Sequence, residues 1–186
     1  RLPAAARRRA VAAPRPEAPP VTMAETSVRF MISLDGLAAL TLVATGTVLA
    51  VIGVFDSGLG GLGVVRQIRD LLPDHDILYL ADRARAPYGR RPLEEVRMFS
   101  EEITAHLIAE GAELVVVACN SASAVALSHL RRLHPHLPFV GMEPALKPAV
   151  AVTRTGIIAV LATAATFQGE LFESLIDRFG DGVTII

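Results

Sequence analysis

From residue 50 onward the chain alternates short apolar runs, uncharged in their interiors, with segments of helical period, and few folds accept that pattern. "AVIGVF" (50–55), "DILYLAD" (76–82), "ELVVVAC" (113–119), "LPFVGM" (137–142), "GIIAVLAT" (156–163) and "GVTII" (182–186) read as six strands. Between them, helices are expected from about Leu62 to Leu72, ended by Pro73, from Pro92 to Glu110, from Ser121 to Leu133 and over 167–179. The second shows its stripe at Leu93, Val96, Phe99, Ile103 and Leu107, with Gly111 where a C-terminal cap belongs. Strands without interior charge must be buried on both faces. Alternation with helices therefore predicts an α/β fold, a doubly wound parallel sheet.

In such sheets ligands collect beyond the C-terminal ends of the strands. The residues to question are therefore Asp56 and Ser57, Asp82, Cys119 with Asn120 and Ser121, and Glu143, together with the loop Pro87, Tyr88, Gly89. The first strand runs into Gly58, Gly60 and Gly63, a G-x-G-x-x-G spacing that suits a dinucleotide pyrophosphate. Asp82, about 20 residues further on, stands where a ribose-binding acid is expected. Asp56 opposes that reading, because a carboxylate beside a pyrophosphate is unfavourable and suits an ammonium group instead.

Cys119 is the only cysteine. Free cysteines are commonly small buried hydrophobes. Here the thiol ends a strand and precedes a helix, where N–H groups and the positive helix end favour a thiolate. The sequence thus predicts a depressed thiol pKa and a base that works at neutral pH, with Asn120 and Ser121 offering hydrogen bonds to a carboxylate at the helix start.

"VIGVFDSGLGGLGVVRQI", "ADRARAPYG", "VVVACNSASAVAL" and "VGMEPALKPAV", continued by "GIIAVLATAAT", together resemble glutamate racemases over about Val51 to Ile186. The resemblance implies a two-base proton transfer at the α-carbon of glutamate, without pyridoxal phosphate, metal or other cofactor. Cys119 would be one of the two bases, and Asp56 would manage its proton or hold the substrate ammonium. Asp56, Ser57, Tyr88, Gly89, Asn120 and Ser121 fall at substrate-binding positions. The family usually has Thr where Ser121 stands, which keeps the hydroxyl. A racemase must reach two opposite faces of a carbon, so one cysteine cannot serve both. In the family the second lies in a Gly-Cys-Thr-His segment, beyond the equivalent of Ile186.

The implied organisation is a non-family segment (1–50), a first α/β domain (51–147) lacking its C-terminal return, and the start of a second (148–186). That pattern suits a fragment, a truncated reading of a gene or a damaged copy. The resemblance further implies a cytoplasmic enzyme supplying D-glutamate for peptidoglycan, a homodimer in its complete form, with no nucleic-acid partner. A net charge of −1 gives no whole-chain argument for nucleic acid, and a single cysteine fits a reducing compartment.

Residues 1–22 carry five Arg, five Pro and one acid without apolar period, so disorder is expected there. A targeting-like segment, a linker, and residues upstream of a start at Met23 are the readings of that stretch. Leu37 to Phe55 is uncharged and just long enough to span a bilayer, roughly 20 residues. Gly46, the interspersed threonines and the strand-like character of its last five residues argue against a span. A membrane-associated non-catalytic fragment and a dinucleotide-binding oxidoreductase module stand as alternatives to the racemase. His75, His106, His129, His134 and His136 show no metal-ligand spacing, and Glu94, Glu95, Glu101 and Glu102 read as a solvated helix face. Arg83, Arg85, Arg90 and Arg91 surround the Tyr88 loop, either to attract an acidic substrate or as a solvated basic loop.

Overall fold

The computed structural model describes residues 51–186. The readings of residues 1–22 and of the apolar run up to residue 50 lie outside the described residues. The last five residues of that run belong to a strand. Among the described residues no helix is long and apolar enough to cross a membrane.

The main sheet is parallel and four-stranded, built from β1 (Val51–Asp56), β2 (Asp76–Ala81), β3 (Leu114–Val117) and β4 (Phe139–Gly141), in the order β2-β1-β3-β4. Its connections are α1 (Leu62–Leu71), α2 (Leu93–Ala109) and α3 (Asn120–Leu133), with a single 3₁₀ turn at Tyr88–Arg90 before α2. Alternate strand residues supply two apolar layers. Ile52, Val54, Leu114, Val116 and Val140 pack with Val64 and Ile68 of α1. Phe55, Val115, Val117 and Phe139 pack with α2 and α3 through Val96, Phe99, Ile103, Leu107, Val125 and Leu130. Both faces of the sheet are apolar and covered, as the uncharged strand interiors require. α2 ends as expected, with Gly111 following at φ +93°.

Beyond β4 the structure departs from expectation in three places. A helix, α4 (Leu146–Val152), fills a stretch read without one. Pro148 is its third residue, inside the first turn, where a backbone N–H has no partner to lose. The helix expected over 167–179 is two: α5 (Ala164–Gln168) and α6 (Glu170–Phe179). They part at Gly169, where a Cβ would sit 2.4 Å from the Ala124 carbonyl oxygen of α3. The eight-residue strand expected over 156–163 shrinks to β5 (Ile157–Ile158), because its one partner, β6 (Thr184–Ile185), offers only two residues. β5 and β6 form a separate two-stranded parallel sheet. Leu146, Ile158 and Leu175 form a small core beside it.

Candidate active site

The C-terminal ends of β1 and β3 are neighbours in the sheet, so Asp56–Ser57 and Cys119 come together although 62 residues separate Ser57 from Cys119. The Cys119 thiol donates to Ser57 Oγ across 3.4 Å. Cys119 is also the N-cap of α3, its sulfur accepting from the Ala122 N–H at 3.5 Å. Helix start, serine hydroxyl and thiol thus converge as the sequence pattern implied.

The thiol's acidity is not as expected. Burial pushes the Cys119 pKa up, and the nearby Asp56 carboxylate adds to the rise. The hydrogen bonds from Ser57 and the Ala122 N–H act the other way without overcoming burial. The expected depression therefore gives way to a raised pKa: the side chain is only 6 % exposed, and removal from water penalises the anion more than three local groups favour it.

Asp56 is buried, and its Oδ2 accepts from the Gly61 N–H at 3.0 Å. A Cβ on Gly61 would lie 2.9 Å from Asp56 Cβ, so the glycine is what lets the loop fold over the carboxylate. This geometry answers the dinucleotide reading. The Gly61 N–H already serves a carboxylate of the chain itself, which would repel a pyrophosphate. Asp82 is equally committed: it accepts from Arg85 Nε at 2.6 Å and from the Tyr88 hydroxyl.

Tyr88 is 1 % exposed and tilts against Phe99 in the core beneath α2. Its hydroxyl faces Asp82, and its pKa is raised by burial first and by that hydrogen bond second. The side chain is thus a brace for its loop. Next to it the buried backbone of Gly89 packs against Thr163, where a Cβ would lie 2.5 Å from Thr163 Cγ2.

Thr163 is the residue that sequence reasoning did not single out. Its Oγ1 lies 2.9 Å from Ser121 Oγ and 3.0 Å from Thr166 Oγ1, and it accepts from the Thr166 N–H as the N-cap of α5. Three hydroxyls and a bare glycine backbone from three segments (the 3₁₀ turn, α3, and α5 with its N-cap) meet there. Two signals were in the sequence: a threonine at the end of a strand-like run, and a threonine at a helix start. Asn120 is exposed in the first turn of α3.

The remaining candidates lie elsewhere. Arg85 pairs with Asp82 and Glu102 and lies 4.3 Å over the Phe99 ring, so it braces the loop. Arg91 pairs with Glu95, whereas Arg83 and Arg90 are exposed. Glu94 and Glu101 likewise have partners, Arg97 and His129, so that helix face is ion-paired as well as solvated. Among the described residues no three His, Cys, Asp or Glu side chains are gathered as metal ligands. A shallow cavity lined by Arg69, His75, Asp76 and Glu110 opens where β1 and β2 begin, the opposite end of the sheet from Cys119.

Comparison with known proteins gives the family. Residues 62–185 match the model of the Asp/Glu/hydantoin racemase family. A glutamate racemase of Roseiflexus sp. is 55 % identical over 135 residues, covering 73 % of this chain and 50 % of the relative. One from Ectopseudomonas mendocina is 51 % identical over 137 residues, covering 74 % and 52 %. Among solved structures, Bacillus anthracis glutamate racemase RacE1 superposes with a TM-score of 0.65 at 36 % identity, covering 73 % of this chain and 51 % of that one. The Escherichia coli enzyme, solved with L-glutamate and the activator UDP-MurNAc-Ala, gives 0.64 at 40 %, covering 73 % and 51 %. The chain spans about half the length of the curated relatives it matches. On these grounds the chain belongs to the Asp/Glu/hydantoin racemase family.

Proposed function

We propose that this chain carries one half of a glutamate racemase site, in which Cys119 is the base for one face of the α-carbon. The observation that carries the reading is the convergence of Cys119 Sγ with Ser57 Oγ, with the buried Asp56 carboxylate beside them. A thiol shielded from water is a poor base alone. The ammonium group of an amino acid, set against Asp56, offsets that negative charge and favours the thiolate beside it. Binding of the correct substrate thereby switches on the base. The hydroxyls of Ser121, Thr163 and Thr166, with the Asn120 amide and the Gly89 backbone, form the set of groups to hold carboxylates. Groups fixed before the reaction stabilise the charge that spreads onto the α-carboxylate as the proton leaves.

In this reading residues 51–147 belong to a first domain and 148–186 to a second. The proton for the opposite face comes from a second acid, for which this chain has no other cysteine. The product, D-glutamate, would feed peptidoglycan synthesis in a bacterial cytoplasm. The test is protection: glutamate at saturating concentration should slow alkylation of Cys119 by iodoacetamide, and glutarate, which lacks the ammonium group, should protect far less. Equal protection by both would remove Asp56 from ammonium binding, and no protection by either would defeat the reading.

A further inference from the structure

The loop that brings Ser57 to the thiol is held from outside the site by one side chain. Tyr79 lies on β2, in register with Val54 of β1, and its hydroxyl donates to the Gly58 carbonyl at 3.1 Å. Its ring also closes over the far end of the same loop, where a Cβ on Gly61 would sit 3.0 Å from Tyr79 Cε2. The residues that matter stand at those two anchor points: Ser57 directly precedes Gly58, and Gly61 is the second anchor itself. Ser57 receives the Cys119 thiol, and Gly61 gives its N–H to Asp56.

We propose that Tyr79 is a positioning residue for the Cys119 base, acting through the Gly58 carbonyl and the Ser57 hydroxyl. The inference rests on reading Cys119 as that base, but its test needs only the thiol. A loop rich in glycine has many conformations of similar energy, and only some put Ser57 Oγ within reach of sulfur. The phenol fixes one of them. When the thiol ionises, the Ser57 hydroxyl turns to donate to the sulfur, and that bond is available only while the loop is pinned. The groups facing the thiol that titrate are Asp56 from the end of β1 and Tyr88 from the 3₁₀ turn. Burial and the Asp82 hydrogen bond raise the Tyr88 pKa, so its phenol does not reproduce an effect of Tyr79.

The experiment is the pH dependence of Cys119 alkylation in the 186-residue chain, for the parent, Tyr79→Phe, Ser57→Ala and the double variant. Tyr79→Phe keeps the ring and removes only the donor. Its midpoint should move upward by about half a unit to one unit, the size expected of one neutral hydrogen bond. Ser57→Ala should move it at least as far, and the double variant should match Ser57→Ala, because both changes remove one interaction. Replacing Tyr79 with p-aminophenylalanine restores a donor at the same place and should restore the parent profile. An unmoved midpoint in Tyr79→Phe overturns the inference, as does additivity in the double variant. If Tyr79→Phe does not fold, a p-aminophenylalanine variant that folds with a shifted profile overturns it equally. Failure of glutamate to protect the parent thiol sinks the racemase reading alone and leaves these outcomes readable.

Discussion

The place of Cys119 between a strand end and a helix start was legible in the sequence, whereas its acidity was not, because burial is set by contacts far along the chain. That distinction yields predictions. At pH 7, without glutamate, Cys119 should be alkylated more slowly than an unstructured thiol peptide, with a midpoint above 9.0. Stability should follow the same group. A pKa raised in the folded state means that the unfolded chain loses its proton first. Stability is therefore intact below pH 9.0 and declines as pH rises toward the folded value. Tyr79 and Tyr88, also raised by burial, extend the decline above 10.0. Denaturant titrations from pH 7 to 11 check this, and Cys119→Ala should flatten the first part of the decline. Asp56→Ala should bring the Cys119 midpoint down by removing a neighbouring negative charge, while weakening protection by glutamate. It should cost about 1 kcal/mol through the unpartnered Gly61 N–H. A midpoint that rises in Asp56→Ala would refute the electrostatic account.

At the scale of elements, β1 to β4 and their helices were readable because each buries a periodic apolar pattern against its neighbours. The later elements were less so. Gly169 parts two helices where the chain passes so close to the Ala124 carbonyl that a Cβ would not fit, and β5 is short because its partner is, and neither cause is local in sequence. The same non-locality hid Thr163, whose part is defined by Ser121, 42 residues away. Thr163→Val keeps the shape and removes the hydroxyl, leaving Ser121 Oγ buried with its partner gone. A loss of about 1–3 kcal/mol in chemical denaturation is expected. Gly89→Ala drives a methyl group into Thr163, and a loss of similar size, about 1–3 kcal/mol, should accompany displacement of the loop. Unchanged stability in both variants would mean that α5 does not dock where the structure has it.

For the molecule as a whole, the proposed reaction asks for more than the single cysteine of these 186 residues. A reaction that removes a proton from one face and returns one to the other needs a second acid. The chain alone is therefore expected not to convert D-glutamate into L-glutamate, as chiral chromatography of the reaction would report. Racemisation above a mock-purified control that disappears in Cys119→Ala would show that another group here serves as that acid. The strand order β2-β1-β3-β4 has a separate consequence, for the time course of folding. β1 joins β2 across a short connection, but its other edge must wait for β3, some 60 residues later in the chain. Closing a loop of that length before any contact repays it is slow. Cys119 sits at the end of that late ladder and has no shelter until the ladder closes. A pulse of alkylating reagent during refolding would thus leave a covalent time-stamp on Cys119, recording when the two halves of the sheet meet.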